Sequence, residues 1–434
     1  MAPTIRAAQL AAILLVFLAC SAPVLALNNV VTQWNVRYQG VVRSLSIANQ
    51  QSSKYFAELH LAQYYAVLLA APSGSNASTS ENVAVNASAA AAYAGHYILS
   101  ATFPFQQPNF DALLKSQVGG LSSADRTAAH DLGVKVATKI IAARVNDGSA
   151  DWYDFTPSPA NGTIGKYQFT PNQTNALYPQ LQNTRPFLVD PSRFNTTNGG
   201  PLTVPSDTYN TQLAEVRTLG SSTSSNRSAT QTETAYFWAD LAGTGAITSH
   251  WYNITAAVLP NSTDVLTTAK VYAAIGVAIY DASIAGWKQK YGVLFWRPIT
   301  AIRQGDGVNT PDATWSPLLS TPNHPEYPSG HSVTSGAAAG ILINHFGSDN
   351  TTFTIGSEYT SANVTSLSPR SYTKFTDTAT EIGLSRIYGG LHFRKAIEDG
   401  QALGLAVASA VWASFPSSYS VDGVSIVTGV PLKN

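Results

Sequence analysis

The sequence is nearly without cysteine. One, Cys20, stands among 434 residues, and it falls inside the apolar run at the N-terminus. That run reads as a secretory leader: Met1, Arg6, an apolar stretch from Leu10 to Ala19, then small residues with a V-L-A site ending at Ala26. It is too short and wrongly flanked for a membrane span, so no stable membrane insertion is expected. A lipid-anchor reading of 17-FLAC-20 is weakened by Phe17, where leucine is usual. With residues 1–26 removed as signal peptide, the mature chain 27–434 has no thiol. Disulfides and cysteine-ligated metals are thereby excluded, and an exported fold must be held by its core.

Charge is scarce too. Charged residues make up 12% of the chain, against about 25% in ordinary domains, and the formal net charge is zero. No basic patch or charge run appears, which removes nucleic acid and anionic membrane as partners. Regular strand alternation and short repeats are missing as well. What is present is a hydrophobic content of 44%, enough for a sizeable core, and ten N-x-S/T sequons, at Asn76, Asn86, Asn161, Asn172, Asn195, Asn226, Asn253, Asn261, Asn350 and Asn363. Together with the leader, these predict a secreted, N-glycosylated protein.

Helical period dominates the chain. WNVRYQGVVRSLS and YFAELHLAQYYAVLLAA predict helices between Asn28 and about Ala70, and AAAAYAGHYILSATF and DRTAAHDLGVKVATKIIAARV predict two more. Residues 146–232, rich in Pro, Asn, Thr and Gly, read as long surface excursions. From Gln231 the helical pattern returns and holds to about Phe415, ahead of an irregular tail. One helix there takes its cap from Ser262 or Thr263 and ends near Trp287–Lys290. Its Asp281 reads as a packing residue without a chemical role. The expected fold is all-α, a large helical bundle forming a single catalytic domain over 27–434. Apolar surface faces on Ala-rich helices cannot be told from core faces, so the sequence leaves the oligomeric state open.

In so uncharged a chain, cations gathered in short motifs carry information. Three segments do this: 287-WKQKYGVLFWRP-298 with Lys290 and Arg297, 328-PSGH-331, and 385-SRIYGGLH-392 with Arg386 and His392. Each has an ordinary structural reading. A Lys-x6-Arg-Pro is usually a solvated helix end, Gly389-Gly390 can simply stop a helix, and a lone histidine is usually structural. The ordered set of all three is different. Two guanidinium forks, an ammonium, the Ser329 hydroxyl, the Gly330 N–H at a helix start and two imidazoles suit a tetrahedral oxyanion.

That set resembles the type-2 phosphatidic acid phosphatase and vanadium-dependent haloperoxidase superfamily. The likeness to the haloperoxidase branch extends over QTETAYFWADLAGTG, DASIAGWKQKYGVLFWRPITAIR, TPNHPEYPSGHSVTSGAAAG and SRIYGGLHFRKAIEDG, within 231–412. It implies two four-helix bundles and a vanadate cofactor. Lys290, Arg297, Ser329, Gly330 and Arg386 would hold the vanadate oxygens, His392 would be the axial metal ligand, and His331 the acid–base residue. Lys290 would also polarise bound hydrogen peroxide. A halide would then be oxidised to hypohalous acid, which halogenates a small organic acceptor, the metal acting as Lewis acid without changing redox state. The resemblance further implies that His324 sets halide choice, histidine there going with bromide and iodide rather than chloride.

The phosphatase branch is the alternative, a secreted acid phosphatase working through a phosphohistidine. Its third motif continues H-x3-D, and here that position is Ala396; Glu398 or Asp399 are the nearby substitutes. A glycosylated matrix protein with an idle site is the remaining class, and nothing in packing requires Lys290, Arg297, Ser329, His331, Arg386 and His392 together.

Overall fold

Polar residues set just ahead of apolar runs start several helices. Asn29 accepts the Val31 N–H, Ser122 that of Asp125 and Ser206 that of Tyr209, while Ser228 closes a reciprocal cap with Gln231. The computed structural model describes residues 29–70, 81–157, 162–195, 199–241, 243–359 and 367–415. The expected leader, the final tail, and the sequons at Asn76, Asn161 and Asn363 lie outside them. The first half carries α1 (Val30–Leu45), α2 (Asn49–Ala70), α3 (Glu81–Thr102), α4 (Gln107–Val118) and α5 (Ser123–Arg144). The second carries α6 (Asp207–Leu219), α7 (Ala229–Phe237), α8 (Ala246–Val258), α9 (Val265–Val293), α10 (Pro298–Gln304), α11 (Gly330–Phe346), α12 (Phe375–Tyr388) and α13 (Arg394–Ser414).

The all-α expectation holds, with one local correction. Asn350–Ile355 (β1) and Arg370–Lys374 (β2) pair antiparallel inside a region that the sequence reads as helical throughout. NTTFTI is β-branched and alternates, burying Phe353 and Ile355. Six residues of alternation between strong helical flanks give too short a signal to stand out. The excursions at 146–232 are mostly irregular as expected, but they contain α6 and the short turns Pro179–Asn183 and Pro191–Arg193.

Helix α9 organises the rest. Its cap is neither Ser262 nor Thr263 but Asp264, which accepts the Thr267 N–H at 2.9 Å. A carboxylate does this better, since it also meets the positive end of the helix. The helix runs past Lys290 to Val293 and closes on Leu294 in the left-handed region. By length and composition it could cross a bilayer, but 78% of its most apolar window is buried, so it is a core helix. It packs on α2 on one side and on α11 and α13 on the other. Helices α1, α2, α3 and α5 make one bundle and α9, α11, α12 and α13 the second, and one apolar core runs through both, from Val31 to Val411. Glycines let α11 and α13 close up: a Cβ on Gly336 would stand 2.2 Å from the Gln401 carbonyl oxygen.

Asp281 is structural, as read from the sequence. Buried on α9, its carboxylate accepts the N–H groups of Phe187, Leu188 and Val189 at 2.7, 2.9 and 3.0 Å. The irregular 146–195 excursion is thereby fastened to the central helix.

Candidate active site

The three motifs meet where α9, α11 and α12 end or begin. Lys290 lies in the last turn of α9, Arg297 is the N-cap of α10, Ser329 is the N-cap of α11, and Arg386 lies in the last turn of α12. After α12, Gly389 caps the helix and Gly390 turns the chain at φ +80°. A Cβ on Gly390 would meet the Gly220 carbonyl oxygen at 2.6 Å, so only glycine makes this turn and brings His392 round. Lys290, Arg297, Ser329, Arg386, His324 and His392 are all buried. Gly330, His324, His331, Arg386 and His392 line one cavity of about 330 Å³.

His392 has a defined tautomer. Its Nε2 lies 3.0 Å from Arg297 Nη1, which can only donate, so Nε2 is the acceptor and Nδ1 carries the proton. Nδ1 donates to Glu326 Oε1 at 2.9 Å, and the same oxygen accepts the Phe393 N–H at 2.9 Å. Neither Glu398 nor Asp399 fills the place that Ala396 leaves open. Asp399 instead takes the Tyr327 hydroxyl and the Lys395 ammonium. The carboxylate beside His392 comes from the loop ahead of PSGH. Burial raises the Glu326 carboxyl to about 7, against a partial offset from Arg297. Burial, then Arg297 and Lys290, holds the His392 imidazole far below its usual range, and it is therefore neutral.

His331 faces a second carboxylate. Asp240 Oδ2 lies 3.3 Å from His331 Nε2, and Asp240 Oδ1 lies 3.0 Å from His250 Nε2 on α8, ion-pair distances with angles off the hydrogen-bond line. Burial alone would raise the Asp240 pKa, but His250 and His331 outweigh it and hold the carboxyl well below its usual range. His331 is lowered to about 4, by burial and then by Arg386. His250 is raised: burial opposes its charge, and Asp240 more than compensates.

The cations are placed unequally. Lys290 Nζ donates to the carbonyls of Pro325 (2.9 Å), Glu326 (3.0 Å) and Pro328. The sequence reading aims it at the oxyanion, whereas the structure aims all three protons at the 325–328 loop. Arg297 binds the His324 and Leu391 carbonyl oxygens, both at 2.9 Å, and spans the His324 ring, which packs on Trp287 with centroids 5.1 Å apart. Arg386 donates from Nη1 to the Trp238 carbonyl at 3.3 Å, while its Nε and the Ser329 Oγ are buried without a partner. Burial lowers both arginines to about 10.

The residues fit a vanadate-like oxyanion. Two buried donors, Ser329 Oγ and Arg386 Nε, lack acceptors, and a buried polar group left so costs about 1–3 kcal/mol. Arg297 repels Arg386 and, with burial, disfavours the Lys290 ammonium, and an anion in the cavity would relieve that repulsion. Among the described residues no group of three or more His, Cys, Asp or Glu is set to bind a bare cation. A single imidazole with cationic and hydroxyl donors is an oxyanion set.

Glu326, Asp240 and His250 do not emerge from the sequence. Glu326 stands two residues ahead of 328-PSGH-331, but its partner is 66 residues away. One local signal exists: a carboxylate in 325-PEYP-328, between two prolines, with no Lys or Arg beside it.

The comparisons agree with this geometry. Residues 270–420 match the family described as the VCPO second helical-bundle domain. The vanadium chloroperoxidase of Curvularia inaequalis is 32% identical over 88 residues, 18% of this chain, and that stretch spans only 14% of the relative. A bacterial vanadium-dependent iodoperoxidase structure superposes with a TM-score of 0.74 at 25% identity, covering 88% of this chain and 95% of its own. The fold of a holo-type bacterial vanadium-dependent chloroperoxidase also matches, with a TM-score of 0.66 at 20% identity over 88% of this chain and 93% of that one. With the motifs gathered at one cavity in this fold, the family match over residues 270–420, the curated relative and the structural neighbours all support a vanadium haloperoxidase.

Proposed function

We propose that this protein oxidises bromide and iodide, in preference to chloride, with hydrogen peroxide, and passes the hypohalous acid to organic acceptors. The observation that carries the reading is the fixed tautomer of His392, whose Nε2 lone pair faces the buried cations while Glu326 holds Nδ1–H. His392 would be the protein ligand of vanadate, with Arg297, Ser329, the Gly330 N–H and Arg386 on its oxygens. Bound there, vanadate supplies Lewis-acid activation of peroxide. His331, neutral down to about pH 4, is ready to take a proton from incoming peroxide, and Asp240 stabilises the imidazolium that forms. Lys290 adds charge from behind the loop and keeps that loop in shape. His324, packed at a tilt against Trp287 in the cavity wall, would tune halide choice.

The leader and sequons support an exported glycoprotein. Asn172, Asn195, Asn226, Asn261 and Asn350 are exposed. Asn253, half-buried within α8 and accepting a hydrogen bond from Gln39, is poorly placed for a glycan.

The test uses metal-stripped protein, to which orthovanadate is added before a phenol-dye bromination assay with bromide and peroxide. Activity that needs vanadate and falls with added phosphate is the expected result. The second reading, a phosphohistidine phosphatase, gains from Glu326, which supplies the carboxylate missing at Ala396. Phosphomonoester hydrolysis by the vanadate-free protein, with no bromination under any loading, would put it first.

A further inference from the structure

The chain carries almost no easily oxidised sulfur. Its one methionine and one cysteine, Met1 and Cys20, stand ahead of residue 27, and from there to Asn434 neither type occurs. Packing does not forbid methionine, which fills irregular gaps in most cores. Thioethers and thiols are the side chains that a strong two-electron oxidant takes first. Without them, the carbon acceptors that remain are the indole and phenol rings, and indole is the more electron-rich. Amine and imidazole nitrogens also take up halogen, but they hand it on, whereas a ring carbon keeps it.

The eight tryptophans are not equally open. Trp34, Trp238, Trp251, Trp287, Trp296 and Trp315 are buried, and Trp412 is half-buried with the Lys270 ammonium 5.0 Å above its ring. Trp152 alone is exposed, at 57%. It stands one ring beyond the active-site cavity. Its indole packs on Tyr178 with centroids 5.0 Å apart, and Tyr178 lines the cavity that His331 and His392 also line.

This contact is held in place from both sides. The Tyr153 hydroxyl donates to the Pro179 carbonyl at 3.2 Å, which ties 152–153 to the residues beside Tyr178. The Leu177 N–H donates to the Asn323 carbonyl at 2.8 Å, directly before His324. The one exposed indole is therefore fastened, through 177–179, to the loop that builds the site.

We propose that Trp152 is a self-halogenation site, the ring of this chain that hypohalous acid released from the cavity modifies first. The proposal rests on the haloperoxidase reading, which supplies the oxidant. In the step itself, an indole carbon attacks the halogen of hypohalous acid. The carbon–halogen bond forms and the oxygen–halogen bond breaks. The ring hydrogen leaves as a proton and joins the hydroxide as water, so the ring is oxidised by two electrons and the halogen is reduced. A chain without sulfur leaves no faster acceptor to intercept the acid, and the other indoles are screened by burial or by Lys270.

The test is the vanadate-loaded enzyme turning over bromide and peroxide with no organic acceptor, followed by peptide mass spectrometry for bromine. Phe105→Trp, at an exposed site that does not line the cavity, adds a comparison indole. Val308→Trp, likewise exposed and outside the lining, serves if that variant does not fold. During turnover Trp152 should gain bromine several-fold ahead of the added indole, whereas reagent hypobromous acid mixed in from outside should modify the two at similar rates. Bromine reaching both indoles in the ratio that the reagent gives, or Trp152 spared while other rings are modified, would overturn the proposal. If the enzyme makes no oxidant under any loading, the haloperoxidase reading fails and the self-halogenation site fails with it. Oxidant released with Trp152 spared removes the site alone.

Discussion

Replacing Glu326 separates the two things His392 does. The Oε1 atom accepts two buried donors, His392 Nδ1–H and the Phe393 N–H. Glu326→Ala orphans both, and at about 1–3 kcal/mol for each it destabilises the fold by roughly 2–6 kcal/mol. Glu326→Gln keeps an acceptor oxygen in place and puts an amide where the unpartnered Oε2 stands, so it should fold. Two effects then oppose each other. Removing a negative charge near Arg297 and Lys290 favours any anion in the cavity. Removing the carboxylate also lowers the basicity of Nε2, and the loss of such a support for a metal-binding histidine costs about 10–100-fold in affinity. Phosphate feels the first effect alone, and vanadate, which bonds to the imidazole, feels both. At pH 8, above the raised pKa of about 7 for Glu326, the expected result is that phosphate binds Glu326→Gln at least as tightly as wild type, while vanadate binds it about 10–100-fold more weakly. Calorimetric titration of the metal-free protein with each anion gives both constants. Nitrogen-15 NMR of the His392 ring reports whether Nδ1 keeps its proton. Equal losses for the two anions, or no loss for vanadate, would refute the assignment of Glu326 as the residue that positions His392.

Three further outcomes are expected. Asp281→Asn turns an amide N–H toward the Phe187–Val189 N–H groups and should destabilise by about 2–4 kcal/mol in urea unfolding, whereas an unchanged midpoint would show that the excursion is held by other contacts. Glu58, buried on α2 at 3.7 Å from Lys54, is raised to about 7 by burial against a partial offset from Lys54. Its cost is absent below about pH 4.5, where both folded and unfolded states hold the proton, and complete above about 7. Glu58→Gln should therefore gain stability relative to wild type on the order of 3 kcal/mol between pH 4.5 and pH 8, and a difference that stays flat with pH would sink the reasoning. His324→Phe should shift relative rates from bromide toward chloride, and an unaltered ratio would remove the halide assignment.

The helices were legible because amphipathic period and capping residues act within a few positions of each other. The six motif residues were legible for a related reason: Lys290 and Arg297, or Arg386 and His392, sit at fixed short spacing around one helix end. Glu326 and Asp240 could not be found this way. Each acts on an imidazole far along the chain, and among 25 acidic residues only folding decides which carboxylate reaches which ring. The aim of Lys290 was equally hidden, since a spacing shows that an ammonium arrives but not which oxygens it meets. The β1–β2 hairpin was lost between helical flanks, and the cap of α9 lay one or two residues beyond the expected serine or threonine.

The three carbonyl bonds of Lys290 make the site a gauge of the whole molecule. The loop that carries His324 and Glu326 and leads through Ser329 to His331 takes its shape from an ammonium at the end of α9, and α9 is ordered by packing on both bundles. The anion pocket cannot be assembled ahead of the scaffold or outlast it. Oxyanion binding, followed during refolding or heating, is then a direct readout of when the two halves of the protein have joined.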